Sequence, residues 1–167
     1  IRARDLEQEI AKLQQESGYP YIINIDVANR ANPVAGKIVM SNLCSEILQV
    51  QTPSVINDDQ SYQTMGTDIS CNLGSTNVVN LMQTTDFEKS IDSMVKALTF
   101  VTDHSDIDAV PTIKNGNRKA HTIGLGAMGL HSYFAKHHIA YGSPESIEFT
   151  DIYFMLLNFY TLKSSMN

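Results

Sequence analysis

The 167-residue sequence is 43% hydrophobic with a formal net charge of −6, enough apolar material for one ordinary core and too little basic charge for a nucleic-acid surface. No apolar run approaches the ~20 residues that span a bilayer, and no signal-peptide pattern stands at its start. Two cysteines are too few for a disulfide scaffold and fit a reducing compartment, so a cytoplasmic protein without membrane or nucleic-acid partners is expected.

Leu6, Ile10 and Leu13 recur at helical spacing, and Gly18 and Pro20 predict a stop just beyond Ser17. The run from Tyr21 to Val27 is rich in β-branched residues and predicts a short strand. Asn32-Pro33 predicts a turn. Residues 51–67, with Pro53, Asn57-Asp58-Asp59 and Gly66, read as a polar connection. DISCNL, residues 68–73, alternates so that Ile69, Cys71 and Leu73 share a face of a strand, which Gly74 ends or bulges.

Thr85 and Glu88 form a capping-box pattern ahead of an apolar stripe at Phe87, Ile91, Met94, Val95, Leu98 and Val101, predicting a core-packed helix to about Asp103. Asn115-Gly116 predicts a turn. A glycine-punctuated stretch, Gly124 to Gly129, leads into a helix ending near His138. Ser143-Pro144 predicts the start of a last apolar helix through Ile147, Ile152, Phe154, Met155, Leu156 and Phe159. Strands and helices mix without a dividing linker, so residues 1–167 are expected to form one α/β segment. The sequence starts at Ile1 inside a helical pattern and stops just past an apolar helix, which predicts an excerpt of a larger chain.

One short stretch carries chemistry. In SNLCSEILQ, residues 41–49, Asn42, Cys44 and Glu46 fall at alternate positions. In extended chain these share one face, whereas a helix would turn Cys44 away from the other two. A nearby carboxylate disfavours a thiolate, so an ordinary nucleophile is a poor fit. A cysteine acting as a hydrogen-atom donor or thiyl radical has no such requirement, with Glu46 as general base and Asn42 holding hydroxyl groups. A packed cysteine among chance polar neighbours fits the same three residues.

The stretches NRANP, MSNLCSEILQV, DISCNLGS, IGLGAMGLH and YGSPESIEFT, in this order, resemble the large catalytic subunit of class I ribonucleotide reductases, most closely the class Ib branch. The resemblance runs from about Glu9 to the end. It implies part of a ten-stranded α/β barrel whose finger loop bears the radical cysteine, and the reduction of ribonucleoside diphosphates to 2′-deoxyribonucleoside diphosphates. Cys44 matches the thiyl-radical cysteine, Glu46 the base and Asn42 the amide that binds the sugar hydroxyls. Leu43 and Ser45 belong to the same substrate-lining loop. Cys71, 27 residues after Cys44, matches one member of the redox pair, whose partner the family supplies from an earlier segment.

The resemblance further implies a small radical-generating subunit with a dimetal-tyrosyl cofactor, a homodimeric large subunit, and an external thiol reductant of thioredoxin or glutaredoxin type. No cofactor or metal is expected in this segment, no tyrosine here matches the radical relay, and the segment alone is expected to be inactive. The rival expectation is a non-catalytic complementing or structural piece of a split or truncated reductase.

Two other patterns are weaker. GLGAMG, residues 124–129, has the form G-x-G-x-x-G, but a dinucleotide site needs a strand before it and an acidic residue ~20 positions later. Close helix–strand packing explains the glycines better. His131, His137 and His138 lie on or near one helix without a ligand spacing, which favours packing or surface roles.

Overall fold

In the computed structural model, residues 1–105 and 107–167 are described. The chain divides into two compact units, Ile1–Ile69 and Ser70–Asn167.

The first unit opens with helix α1, Ala3–Ser17, as its 3–4 spacing predicts. Gly18 ends it with φ 79°, a left-handed conformation that costs glycine little, and its N–H donates to the Gln14 carbonyl at 2.9 Å. The strand expected over Tyr21–Val27 does not form. Its last three residues instead open helix α2, Ile25–Ala31, with Asp26 in the first turn and Arg30 in the last. Strand propensity is realised only beside a partner strand, and Asn29 instead ties the helix to the following chain. Its amide donates to Ile25 O at 2.9 Å and Ile38 O at 2.8 Å, while its oxygen accepts from Ile38 N at 2.9 Å. Asn32-Pro33 makes the expected turn, closed by Val34 N–H donating to Asn32 Oδ1 at 3.1 Å.

The 51–67 connection is more ordered than its polarity predicts. Strands β1, Val55–Ile56, and β2, Tyr62–Thr64, pair antiparallel, with a register shift in β1. Asn57 N–H donates to Ser61 O and Gln60 N–H to Asn57 O, both at 2.9 Å, with Gln60 at φ 68°. Asp59 accepts from Ser61 N–H at 3.0 Å and from its hydroxyl at 2.5 Å. These bonds hold the Asp59 carboxyl below its ordinary value. The hairpin continues to a Thr52–Thr67 bridge, and Ile38, Ile47, Gln51 and Thr67 are buried.

In the second unit β3, Leu73–Asn77, pairs in parallel with β4, Gly124–Met128, in unbroken register from Leu73 opposite Gly124 to Asn77 opposite Met128. This corrects the DISCNL expectation. The strand begins where that stretch ends, and Gly74 lies inside it, opposite Leu125. The glycine serves close packing: a Cβ there would come within 3.1 Å of Met94 Cε and 3.3 Å of Leu98 Cδ1. β4 also shows why GLGAMG is no dinucleotide fingerprint. Its first two glycines, Gly124 and Gly126, lie within the strand and only Gly129 follows it, whereas a phosphate loop needs its first glycines in the turn after the strand.

Parallel strands need a long crossover, here made by α4, Phe87–His104, and α5, Pro111–Ala120. Asp86, not Thr85, caps α4, its Oδ1 accepting from Lys89 N–H at 3.0 Å. Glu88 bridges to Lys163 at 2.7 Å instead of closing a capping box. The Asn115-Gly116 turn is also overturned. Both residues are inside α5, where Pro111 sets the first turn and the face bearing Thr112, Gly116 and Asn117 is buried.

A short helix α3, Val78–Leu81, follows β3; α6, Leu130–Lys136, follows β4; and α7, Pro144–Ser165, ends the unit. As predicted, Ser143 caps α7, its Oγ accepting from Ser146 N–H at 3.2 Å. The core joins Val78, Leu81, Ile91, Val95, Tyr153 and Leu157. The α4 stripe is thus core, although Val101 at its end is exposed. On α7 the expected apolar positions Ile147, Ile152, Phe154, Met155, Leu156 and Phe159 are exposed, while Ser146, Tyr153 and Leu157 are buried.

Candidate active site

Residues 42–46 do not run extended. Leu43 and Cys44 occupy a tight turn in which Ser45 N–H donates to Asn42 O at 3.1 Å, with Ser45 at φ 67°. Simple alternation therefore does not set the direction of the three side chains, because a turn replaces the strand pleat. The turn is built by its own polar residues. Asn42 Oδ1 accepts from Ile47 N–H at 3.0 Å and lies 3.1 Å from the Ser41 hydroxyl, which donates to Ile47 O at 2.6 Å. Below it, Gln51 N–H donates to Lys37 O at 3.1 Å and Gln51 Oε1 accepts from Met40 N–H at 3.2 Å.

Buried Ile38, Ile47 and Gln51 anchor the base of this loop, while Leu43, Cys44 and Glu46 are exposed at its tip, Leu43 at 85%. The structure thus brings Asn42, Leu43, Cys44, Ser45 and Glu46 into one presented turn. Asn42 is half-buried, with its side-chain oxygen engaged in the loop.

Tyr21 is a neighbour that the sequence does not mark. It lies 5.1 Å from Tyr19, ring centre to ring centre. Its hydrogen bond to Tyr19 and the charge of Tyr19 push its phenol above the ordinary value, with smaller contributions from burial and from the charges of Cys44 and Glu46.

Cys71 belongs to the second unit, two residues before β3, and is an exposed thiol, as is Cys44. The residues on either side of it are tied to helices. The Ser70 hydroxyl donates to Asn117 Oδ1 on α5 at 2.6 Å. Asn72 Nδ2 donates to Leu98 O on α4 at 2.6 Å and also to the Thr102 hydroxyl. Asn72 O accepts from Gly124 N–H at 2.9 Å, extending the β3–β4 pairing by one bond. These partners lie 26 to 52 residues away in sequence, and no local pattern announces them.

Chemically, the first unit offers a thiol and a carboxylate on an exposed turn, and the second a thiol held between two helix-anchored residues. The parallel β3–α4–α5–β4 unit is the building block of α/β sheets and barrels. Among the described residues the strands form two two-stranded sheets and no closed barrel, and no helix is long and apolar enough to cross a membrane.

The family model for the ribonucleotide reductase barrel domain matches residues 1–167. The chain belongs to this family, and its mixed helices and strands are part of that α/β domain. It is 43% identical over 166 residues to the ribonucleoside-diphosphate reductase subunit alpha of Mycoplasma pneumoniae, covering 99% of this chain and 23% of the relative. Identity to the ribonucleoside-diphosphate reductase subunit alpha of Bacillus subtilis is 42% over 167 residues, covering 99% of this chain and 24% of the relative. For Mycoplasma genitalium it is 42% over 166 residues, covering 99% and 23%. The chain thus spans about a quarter of the length of these three relatives.

Proposed function

We propose that this chain carries the radical-bearing turn and one redox cysteine of a ribonucleoside-diphosphate reductase large subunit, of the class Ib type. The observation that carries the reading is the 42–46 turn, which presents Cys44 and Glu46 together on a buried base in a chain of this family. Cys44, as a thiyl radical, takes the 3′ hydrogen atom of the ribose. Glu46 accepts the 3′-hydroxyl proton, and the 2′-hydroxyl leaves as water. Cys71 and a second cysteine from outside these residues supply two electrons and two protons. The C2′–OH bond becomes C2′–H, the two thiols become a disulfide, Glu46 returns its proton to the 3′ oxygen, and Cys44 gives the hydrogen atom back to C3′ and is again a thiyl radical.

Asn42 orients the sugar hydroxyls, and the backbone of Leu43 to Ser45 lines the substrate. The radical equivalent comes from a small subunit with a dimetal-tyrosyl centre, and a thioredoxin- or glutaredoxin-type protein re-reduces the disulfide. The chain by itself is inactive on this reading, because Cys44 and Glu46 stand exposed and radical chemistry needs a site closed to water. The parent subunit is a cytoplasmic homodimer under nucleotide control.

The test uses the full-length large subunit with its small subunit and a ribonucleoside diphosphate. Cys44→Ser is expected to abolish product formation, because a serine O–H is too strong a bond for this exchange. Multiple-turnover reduction by that variant would sink the assignment.

A further inference from the structure

Asn117 combines two observations. Its oxygen accepts the Ser70 hydroxyl at 2.6 Å, one residue from Cys71. Its side chain is only 6% exposed, and among the described residues its Nδ2 is a buried nitrogen without a hydrogen-bond partner. An unspent buried donor costs about 1–3 kcal/mol. Stability alone therefore does not explain a carboxamide at this place, on the buried face of α5 beside Thr112 and Gly116. What the carboxamide gains is the Ser70 anchor.

We propose that Asn117 is a positioning residue for Cys71, acting through Ser70. The proposal rests on the reading of Cys71 as a redox cysteine. Cys71 precedes the strand register, so sheet pairing does not fix its backbone. Ser70 is held by α5 through Asn117, and Asn72 is held by α4 through Leu98 O and the Thr102 hydroxyl. The cysteine is bracketed by two side-chain anchors from different helices, and these hold the stretch of backbone that carries its thiol. The Asn72 anchor has two acceptors, whereas the Ser70 anchor depends on the single Asn117 oxygen. Loss of that bond frees one side of the bracket. A reacting group displaced by ~1 Å can lose ~100-fold in rate.

The experiment compares Ser70→Ala, Ser70→Thr and Asn117→Ala in the reduced full-length large subunit. The alkylation rate of Cys71 is followed against pH by peptide mass spectrometry, and kcat and KM for a ribonucleoside diphosphate are measured with the small subunit and a thioredoxin-type reductant. Ser70→Ala and Asn117→Ala are expected to change the Cys71 pH profile and to lower kcat about tenfold with KM little changed. Combining them adds nothing further. Ser70→Thr, which keeps the hydroxyl, is expected to behave as the parent.

An unchanged pH profile and kcat in Ser70→Ala overturns the proposal, and that variant decides alone if Asn117→Ala does not fold. Normal turnover by Cys71→Ser would instead overturn the redox reading of Cys71. The alkylation profiles still report the anchor in that case, so the two failures are distinguishable.

Discussion

Thr76 and Tyr153, 77 residues apart, share a hydroxyl–hydroxyl hydrogen bond of 2.9 Å inside the second unit. Thr76 also donates to Gly126 O at 3.1 Å, so one short chain of polar groups fastens α7 to both parallel strands. Tyr153 is 2% exposed, and its phenol bonds Thr76 inside the fold. Removing that phenol tests how far α7 secures the strand that follows Cys71. Tyr153→Phe is expected to cost about 1 kcal/mol, seen as roughly fivefold faster hydrogen exchange of β3 and β4 amides.

The same pair predicts an alkaline dependence. Burial holds the Tyr153 phenol above its ordinary value, partly opposed by the Thr76 hydrogen bond. A raised folded-state value favours the neutral phenol in the folded state. Its contribution is present in full below the unfolded tyrosine value of about 10 and is lost as pH rises through the folded value. The stability advantage over Tyr153→Phe is therefore expected to shrink above about pH 10. Thermal midpoints of both proteins across that range check the sign.

Cys71→Ser in the full-length subunit is expected to stop multiple turnovers with thioredoxin-type reductants and leave ribonucleoside-diphosphate binding within about twofold. Equilibrium binding and turnover measured side by side separate the outcomes. A large loss of binding would assign Cys71 to the structure of the β3 edge instead of to redox chemistry.

Gly66 and Gly74 differ in what surrounds them. A Cβ on Gly66 would run into the Thr52 carbonyl oxygen, a backbone atom, whereas at Gly74 the nearest obstacle is the flexible end of the Met94 side chain at 3.1 Å. Gly66→Ala is expected to destabilise by roughly 1–3 kcal/mol, and Gly74→Ala by less than about 1 kcal/mol. Exchange protection at Thr67 N–H, which donates to Thr52 O at 2.9 Å, falls in the first variant and not in the second.

Helix α4 offers a local test of its start. Asp86→Ala removes the group that accepts from Lys89 N–H and is expected to cost about 1 kcal/mol. Thr85→Ala is expected to stay within about 0.5 kcal/mol. Equal effects in urea unfolding would mean that the two residues share the cap.

Much of the fold is legible where one local cause decides it. The left-handed Gly18 stop, the Asn32 turn, the Ser143-Pro144 start and the stripe of α4 each depend on side chains within a few residues. Local reading fails where a distant partner outweighs propensity. Tyr21–Val27 has strand-forming residues without a strand beside it, and its last three residues become helix. Asn115-Gly116 has turn-forming residues, but their helix buries its small face. Helix α7 is apolar nearly all round, so periodicity could not tell that Tyr153 and Leu157 face inward while Phe154 and Phe159 face out.

For the site, the sequence by itself determined the chemical inventory: a thiol between an amide and a carboxylate at 42–46, and a second thiol at 71. It determined the family as well, because motif order and spacing are properties of the chain alone. Only the tertiary structure decided how those groups are held. The 42–46 segment is a turn because Asn42 and Ser41 bond across it to Ile47. Cys71 is bracketed because Asn117 and Thr102, far along the chain, reach its two neighbours. The physical reason is range. Backbone preference and spacing act over a few residues, whereas a side chain's direction is fixed by hydrogen bonds and packing whose partners only the folded chain brings near.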